Sequence, residues 1–297
     1  MSRAAPTLAV ALLTLGVPAA AWAQDEPRRF PSTVFEEGAD SAAVTVGDVT
    51  ATVTMERRPE ADPDLDVPVL TVQAGGKTVL ETVGVGSGFS FPATEASIAD
   101  IDAGNARPEV YFSSYSGGAH CCTQVFVATQ VGNAWKAVDA GFFDGDGNLL
   151  RDLDGDGHAE LVAPDNRFLY AFDAYAASAA PLQVMTVRRG ELADVSREIQ
   201  YFAAHRQWLT DMEGWAGSDR WSSPGFLAGW VVARQRVGEG LAAWNELDAH
   251  WDRAADEGEE TCRIDQPLDL CPPEEKAVLQ FPERLKLFLE QNGYPLG

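Results

Sequence analysis

Basic residues are scarce in this chain. Lysine and arginine number 22 against 45 aspartates and glutamates, for a formal net charge of −23. A surface of that sign repels nucleic acid and anionic lipid, and no basic patch stands against it. Histidine and cysteine are also few, four of each. His120, His158, His205 and His250 form no H-E-x-x-H pair. No phosphate-binding P-loop and no dinucleotide fingerprint is present. The stretch Gly84-Val85-Gly86-Ser87-Gly88 fails as a nucleophile elbow, because it follows a hairpin pattern with no strand-to-helix turn. After residue 23 no segment approaches about twenty unbroken apolar residues, the length a membrane-spanning helix needs.

What is present begins with a leader. Arg3, the apolar run Leu8–Val17 and the small-residue site Ala21-Trp22-Ala23 are the three parts of a secretory signal peptide over residues 1–23. A periplasmic or secreted location is expected, where cysteines oxidise. Cys262 and Cys271 flank a short acidic loop that contains proline, and a bridge between them is expected. Cys121 and Cys122 are adjacent. Neighbouring Cα atoms lie about 3.8 Å apart, below the usual disulfide span of about 4.4–6.8 Å. Two readings stay open: a strained vicinal bridge, or cross-links from this pair to Cys262 and Cys271. His120, Cys121 and Cys122 together are also a candidate soft-metal or thiol-redox site.

The stretch Asp152-Leu153-Asp154-Gly155-Asp156-Gly157-His158-Ala159-Glu160 carries the sharpest chemistry. Alternate acids would repel one another in an extended chain, and a glycine turn lets them curl round one point. A hard cation such as Ca²⁺ takes six to eight oxygens at about 2.3–2.6 Å. The expected ligands are Asp152, Asp154 and Asp156 through their carboxylates, His158 through its backbone carbonyl, and Glu160 closing the cage. An EF-hand is excluded, because the twelfth position from Asp152 is Ala163. Asp62, Asp64 and Asp66 repeat the spacing without the glycine and read as a solvated loop.

The fold class expected is α+β. With 45% hydrophobic residues the chain can bury a core. Residues 24–196 read as a β-rich region. Val67–Val72 and Lys77–Val83 flank Gly75-Gly76 as a hairpin. Laying the chain on itself matches Asp100 with Asp152, Asp102 with Asp154 and Glu109 with Glu160. Two units follow, at about 99–140 and 151–196, each an acidic loop, two strands, a hairpin turn and a strand. That is the make-up of a propeller blade, and two or three such units suit a partial propeller or a sandwich. Residues 197–297 read as helical, with Ser196 as an N-cap and Ser223-Pro224 opening a second helix. Trp208, Trp215, Trp221, Trp230, Trp244 and Trp251 concentrate there, a density that points to a core.

The acidic loop leading into the strand Glu160–Pro164 resembles the FG-GAP or VCBS repeats of integrin-like β-propellers. The last acid here is Glu160 in place of Asp, and Ala163-Pro164 lacks the glycine that precedes it in those repeats. The resemblance implies a blade-like fold and a bound Ca²⁺, and no reaction. The stretch Ser116–Cys122 is similar to one found in bacterial exported proteins, which also implies no reaction. The leading expectation is an exported, calcium-binding, non-catalytic protein with a protein or glycan partner. Two alternatives stand beside it: a carboxylate-dependent, glycosidase-like hydrolase with a Trp-rich cleft, and a thiol-redox or soft-metal protein built on His120–Cys122.

Overall fold

The computed structural model describes residues 30–88, 94–118, 122–217 and 220–296 of the chain. The leader expected at 1–23 lies outside them. Strands occupy the first part and helices dominate the last, an α+β arrangement. Strand β1 (Ser32–Val34) precedes a four-stranded antiparallel meander of β2 (Ala42–Val46), β3 (Val49–Arg57), β4 (Asp66–Ala74) and β5 (Lys77–Val83). The alternation in β3 sets its two faces: Val49, Ala51 and Val53 are fully buried, and the threonines between them are half-buried on the other side.

A second meander, β6 (Thr94–Ala99), β7 (Glu109–Tyr115), β8 (Thr123–Val131) and β9 (Ala134–Phe143), gains β1 at its first edge to make five strands. The third sheet is β10 (Leu150–Arg151), β11 (Glu160–Pro164), β12 (Leu182–Arg188) and β13 (Glu191–Asp194). The middle sheet is covered on both faces. Ala96, Ile98, Val110 and Phe112 pack against Ala51, Val53, Leu70 and Val72 of the first sheet. Ile101, Tyr111, Val125 and Val127 pack against Leu161, Ala163, Met185 and Val187 of the third. This double cover is why every residue of β6 is buried. Among the described residues the sheets form no closed barrel or propeller.

The helical part contains α1 (Phe202–Trp215), α2 (Pro224–Arg236) and α3 (Gly240–His250), then a ribbon of β14 (Glu259–Cys262) and β15 (Lys276–Leu279), then α4 (Phe281–Gln291). Helix α2 is buried along most of its length, as a helix apolar on all sides must be. Around it pack Leu209 and Met212 of α1, Leu247 of α3, and Leu285 and Leu289 of α4. Trp230 lies at the centre of this core, with Trp208, Trp221, Trp244 and Trp251 partly buried against it. Trp215 is exposed. The other five tryptophans of the helical part therefore pack into one core.

Ser196 is not the cap of α1. Its hydroxyl is buried, donating to Asp194 at 2.5 Å and accepting the Val184 N–H at 2.9 Å. The helix begins later, at Phe202, after a short 3-10 turn at Ile199–Tyr201. The same corner holds His205, 3% exposed, whose Nε2 donates to the Ser196 carbonyl at 2.7 Å. Burial lowers the His205 pKa, outweighing the help of the Ser196 carbonyl. The unfolded chain, with a histidine pKa of about 6.5, then takes up a proton that the folded chain refuses. The share of stability that rests on a neutral His205 is therefore expected to fall as pH drops below about 6.5 and to level off below the folded pKa. Urea unfolding at pH 7.5 and 5.5 measures this. His205→Gln should cost more stability at pH 7.5 than at pH 5.5, and an equal cost at both would remove His205 from the account.

Candidate functional site

The loop between β10 and β11 is shaped by its own acids. The Asp152 carboxylate accepts the Gly155 N–H at 2.8 Å, Asp154 accepts the Asp156 N–H at 3.1 Å, and Asp156 accepts the His158 N–H at 2.8 Å. Gly155 and Gly157 sit at φ +80° and +94°, values that disfavour any residue with a Cβ. The result brings oxygens of Asp152, Asp154 and Asp156 within 4.8 Å of one another. Asp154 and Asp156 face solvent and Asp152 is half-buried. Each pair of like charges at such a separation costs about 1 kcal/mol in water and several times that where solvent is excluded. A cation placed among them would relieve this repulsion. The Asp156 pKa is lowered first by the His158 N–H and then by the His158 ring.

His158 and Glu160 differ from Asp152, Asp154 and Asp156. The His158 ring spans two loops, with Nδ1 3.2 Å from Asp156 and Nε2 3.8 Å from Asp100. Burial alone would lower its pKa, but Asp100, Asp156 and Glu160 together outweigh that and raise it. Glu160 does not join the aspartate cluster. It is 3% exposed, accepting the Leu153 N–H at 2.9 Å on one oxygen and the Tyr201 hydroxyl at 3.1 Å on the other. Burial raises its pKa. Glu160 therefore closes the loop mechanically, tying its entry to its exit and to the 3-10 turn before α1.

The first loop shows the same device without the cluster. Glu109 is fully buried and accepts the N–H groups of Ile101 and Asp102 at 2.8 and 2.9 Å, the Asn105 amide at 2.6 Å and the Thr129 hydroxyl at 3.0 Å. Asp102 is buried and accepts the Gly104 N–H. Asp100 is exposed, and its carbonyl accepts the Ala159 N–H at 2.7 Å, which sets the two loops side by side. The signal that Glu160 is structural was in the internal repeat itself. The first loop has lost the third aspartate of the pattern and still keeps its glutamate.

The remaining candidates resolve as follows. The Asp62 carboxylate accepts the N–H groups of Asp64 and Leu65, an ordinary turn. Cys262 and Cys271 are bridged, with Cα atoms 5.7 Å apart. Cys122 is disulfide-bonded too, and with Cys262 and Cys271 joined to each other the cross-linked connectivity does not form. His120 and Cys121 lie outside the described residues. The depression lined by Ala61, Asp62, Val67, Val83, Gly84, Val85, Gly86, Ser116 and Gln124 has Asp62 as its carboxylate and no tryptophan. It does not supply the facing acid pair of a glycosidase.

A family model, the sll0997 C-terminal domain, matches residues 205–293. The chain is 35% identical over 257 residues to the "Probable thylakoid lumen protein sll0997" of Synechocystis, covering 84% of this chain and 75% of that protein. The chain belongs to the sll0997 family. It is also 33% identical over 242 residues to the "Uncharacterized protein y4bJ" of Sinorhizobium fredii, covering 79% of this chain and 38% of that one. No solved structure matches. These matches correct the resemblance to FG-GAP and VCBS repeats. Here the alternating aspartates accept N–H groups of their own turns, a local geometry that does not require that family. The printed name of the Synechocystis relative describes that protein as a probable thylakoid lumen protein. No described helix is long and apolar enough to cross a membrane.

Proposed function

We propose that this sll0997-family chain is an exported, periplasmic or secreted, non-catalytic protein whose loop Asp152–Asp156 takes a calcium ion. The observation that carries the reading is the convergence of the Asp152, Asp154 and Asp156 oxygens within 4.8 Å of one another. All three donors are hard oxygens, which suits Ca²⁺ better than a soft metal. The solvent-facing side leaves room for the waters and backbone carbonyls that complete its six to eight ligands, where Mg²⁺ demands a tighter octahedron. The ion would sit at the junction of two sheets, because His158 and Asp100 link this loop to its neighbour. Its role in this reading is to hold that junction, and the chain's work is binding a partner.

The test is a thermal melt of residues 24–297 with Ca²⁺ and with excess chelator, run beside Asp154→Ala. A ligand at a hundred times its Kd stabilises by about 2.7 kcal/mol. Wild type is expected to melt higher by several degrees with Ca²⁺, and the variant to ignore it. Equal melting of wild type in both conditions makes the loop a solvated turn.

A further inference from the structure

The segment between β11 and β12, residues 165–181, takes no part in the sheets. It is pinned from below by two phenylalanines. Phe168 is fully buried and meets Phe288 and Tyr294 edge-on, with centroids 5.2 and 5.5 Å away. Phe172 meets Phe281 and Phe288 the same way at 5.4 and 5.2 Å. Tyr170 lies between them in sequence and points the other way, 60% exposed. Its backbone is at φ +62°, in the left-handed region that a residue with a Cβ avoids. A ring left mostly in water does not offset that strain by packing. Strained positions of this kind persist where the surrounding structure holds them, often at ligand sites.

The neighbourhood of Tyr170 is aromatic and acidic. Its ring lies 5.5 Å from that of Tyr175, tilted by 39°. The Tyr175 hydroxyl donates to the Asp144 carboxylate at the end of β9. Asp144 is half-buried. The Asn166 amide donates to the Phe142 carbonyl at 2.7 Å and holds that exposed phenylalanine at the same end of β9. Asp146 and Asp173 stand close by in sequence to Asp144 and Tyr170. Among the described residues no lysine or arginine forms an ion pair with Asp144. Burial raises the Tyr175 pKa, and the Asp144 carboxylate and the Tyr170 phenol raise it further. The faces of aromatic rings are negative, so rings and carboxylate alike present one sign.

We propose that Tyr170, Tyr175 and Asp144 form a binding site for an organic cation, the guanidinium or ammonium side chain of a basic peptide. Two tilted rings with a carboxylate at one end offer the cation–π contact and the counter-charge together. A neutral sugar would use the ring faces and could donate a hydroxyl to the carboxylate, but it would bring no counter-charge to a chain of net charge −23. The site uses no residue of the Asp152–Asp156 loop, so it does not depend on calcium.

The experiment is an NMR titration of residues 24–297 at physiological ionic strength. The probes are acetyl-arginine methylamide and tetramethylammonium, with a chitin oligosaccharide as the neutral comparison. Singly charged probes are used because a polycation would adhere to the whole acidic surface. Both cations are expected to give saturable shifts confined to Tyr170, Tyr175 and Asp144. Affinity should fall by about fivefold or more in Tyr170→Gly and in Asp144→Asn. Tyr170→Gly relieves the backbone, so it should melt no lower than wild type while losing the probe. Asp154→Ala should bind as wild type does. Shifts that do not saturate, equal binding by Tyr170→Gly, or saturation by the oligosaccharide with none by the cations would each overturn the proposal.

Discussion

Gly229→Ala is expected to cost about 3 kcal/mol of stability or more, above the usual range of about 1–3 kcal/mol for an overpacked core. A Cβ at Gly229 would lie 2.5 Å from the carbonyl carbon of Ala179, closer still to its oxygen, and 3.0 Å from the Ala180 nitrogen. All three are backbone atoms, so no side chain can swing aside. Gly225, one turn earlier, meets the same segment: a Cβ there would stand 2.6 Å from the Ala177 oxygen. The Gly225 carbonyl also accepts the Ala179 N–H at 3.1 Å. The two glycines thus let α2 lie directly on residues 177–180, and this contact joins the helical core to the β part. Gly214→Ala in α1 is the control, because nothing stands within 4 Å of its Cβ position. It should be neutral or stabilising by up to about 1 kcal/mol. At about 2–4 °C per kcal/mol for a chain of this size, the first variant should melt lower by roughly 6–12 °C. Urea unfolding and thermal melts of both variants measure the difference. A fall in Gly229→Ala no larger than in Gly214→Ala would mean that α2 does not rest on this segment.

Glu109→Ala is expected to cost about 3 kcal/mol. It strands the N–H groups of Ile101 and Asp102, the Asn105 amide and the Thr129 hydroxyl in a buried corner. Each unsatisfied buried group costs about 1–3 kcal/mol. Part of that is returned, because a carboxylate whose pKa is raised by burial no longer has to be held there. Glu160→Ala strands fewer groups and should cost less, about 2 kcal/mol. Hydrogen exchange at the Ile101 and Asp102 amides gives a local readout. Both should lose protection in Glu109→Ala. Retained protection with unchanged stability would mean that the glutamate does not hold its loop.

Much of the fold was legible because it rests on local rules. The turns at Gly47 and Gly75-Gly76 lie where left-handed backbone is needed, Ser223-Pro224 marked the start of α2, and the amphipathic pattern of α4 marked it as a helix. The chain repeat also placed Glu109 and Glu160 at equivalent positions, each at the first residue of its strand. The repeat carried a signal of their structural role, but their partners Thr129 and Tyr201 come from other elements and were not legible. The same limit applies to Ser196, a good cap by residue type that is claimed by Asp194 and Val184 instead. Glycine weakens a helix by propensity alone, and the approach of residues 177–180 is what Gly225 and Gly229 accommodate. The ribbon β14–β15 is short and joined across the disulfide loop, so no periodicity announced it. In the acidic loop the three aspartates were legible as a cluster because their spacing and the glycines fix it locally.

The most direct test of the account is a calorimetric titration of Ca²⁺ into metal-stripped residues 24–297, repeated with Asp154→Ala and Glu160→Ala. The account predicts saturable binding of a single ion by wild type, none by Asp154→Ala, and retained binding by a less stable Glu160→Ala. No saturable heat with wild type, or equal binding by Asp154→Ala, would contradict it.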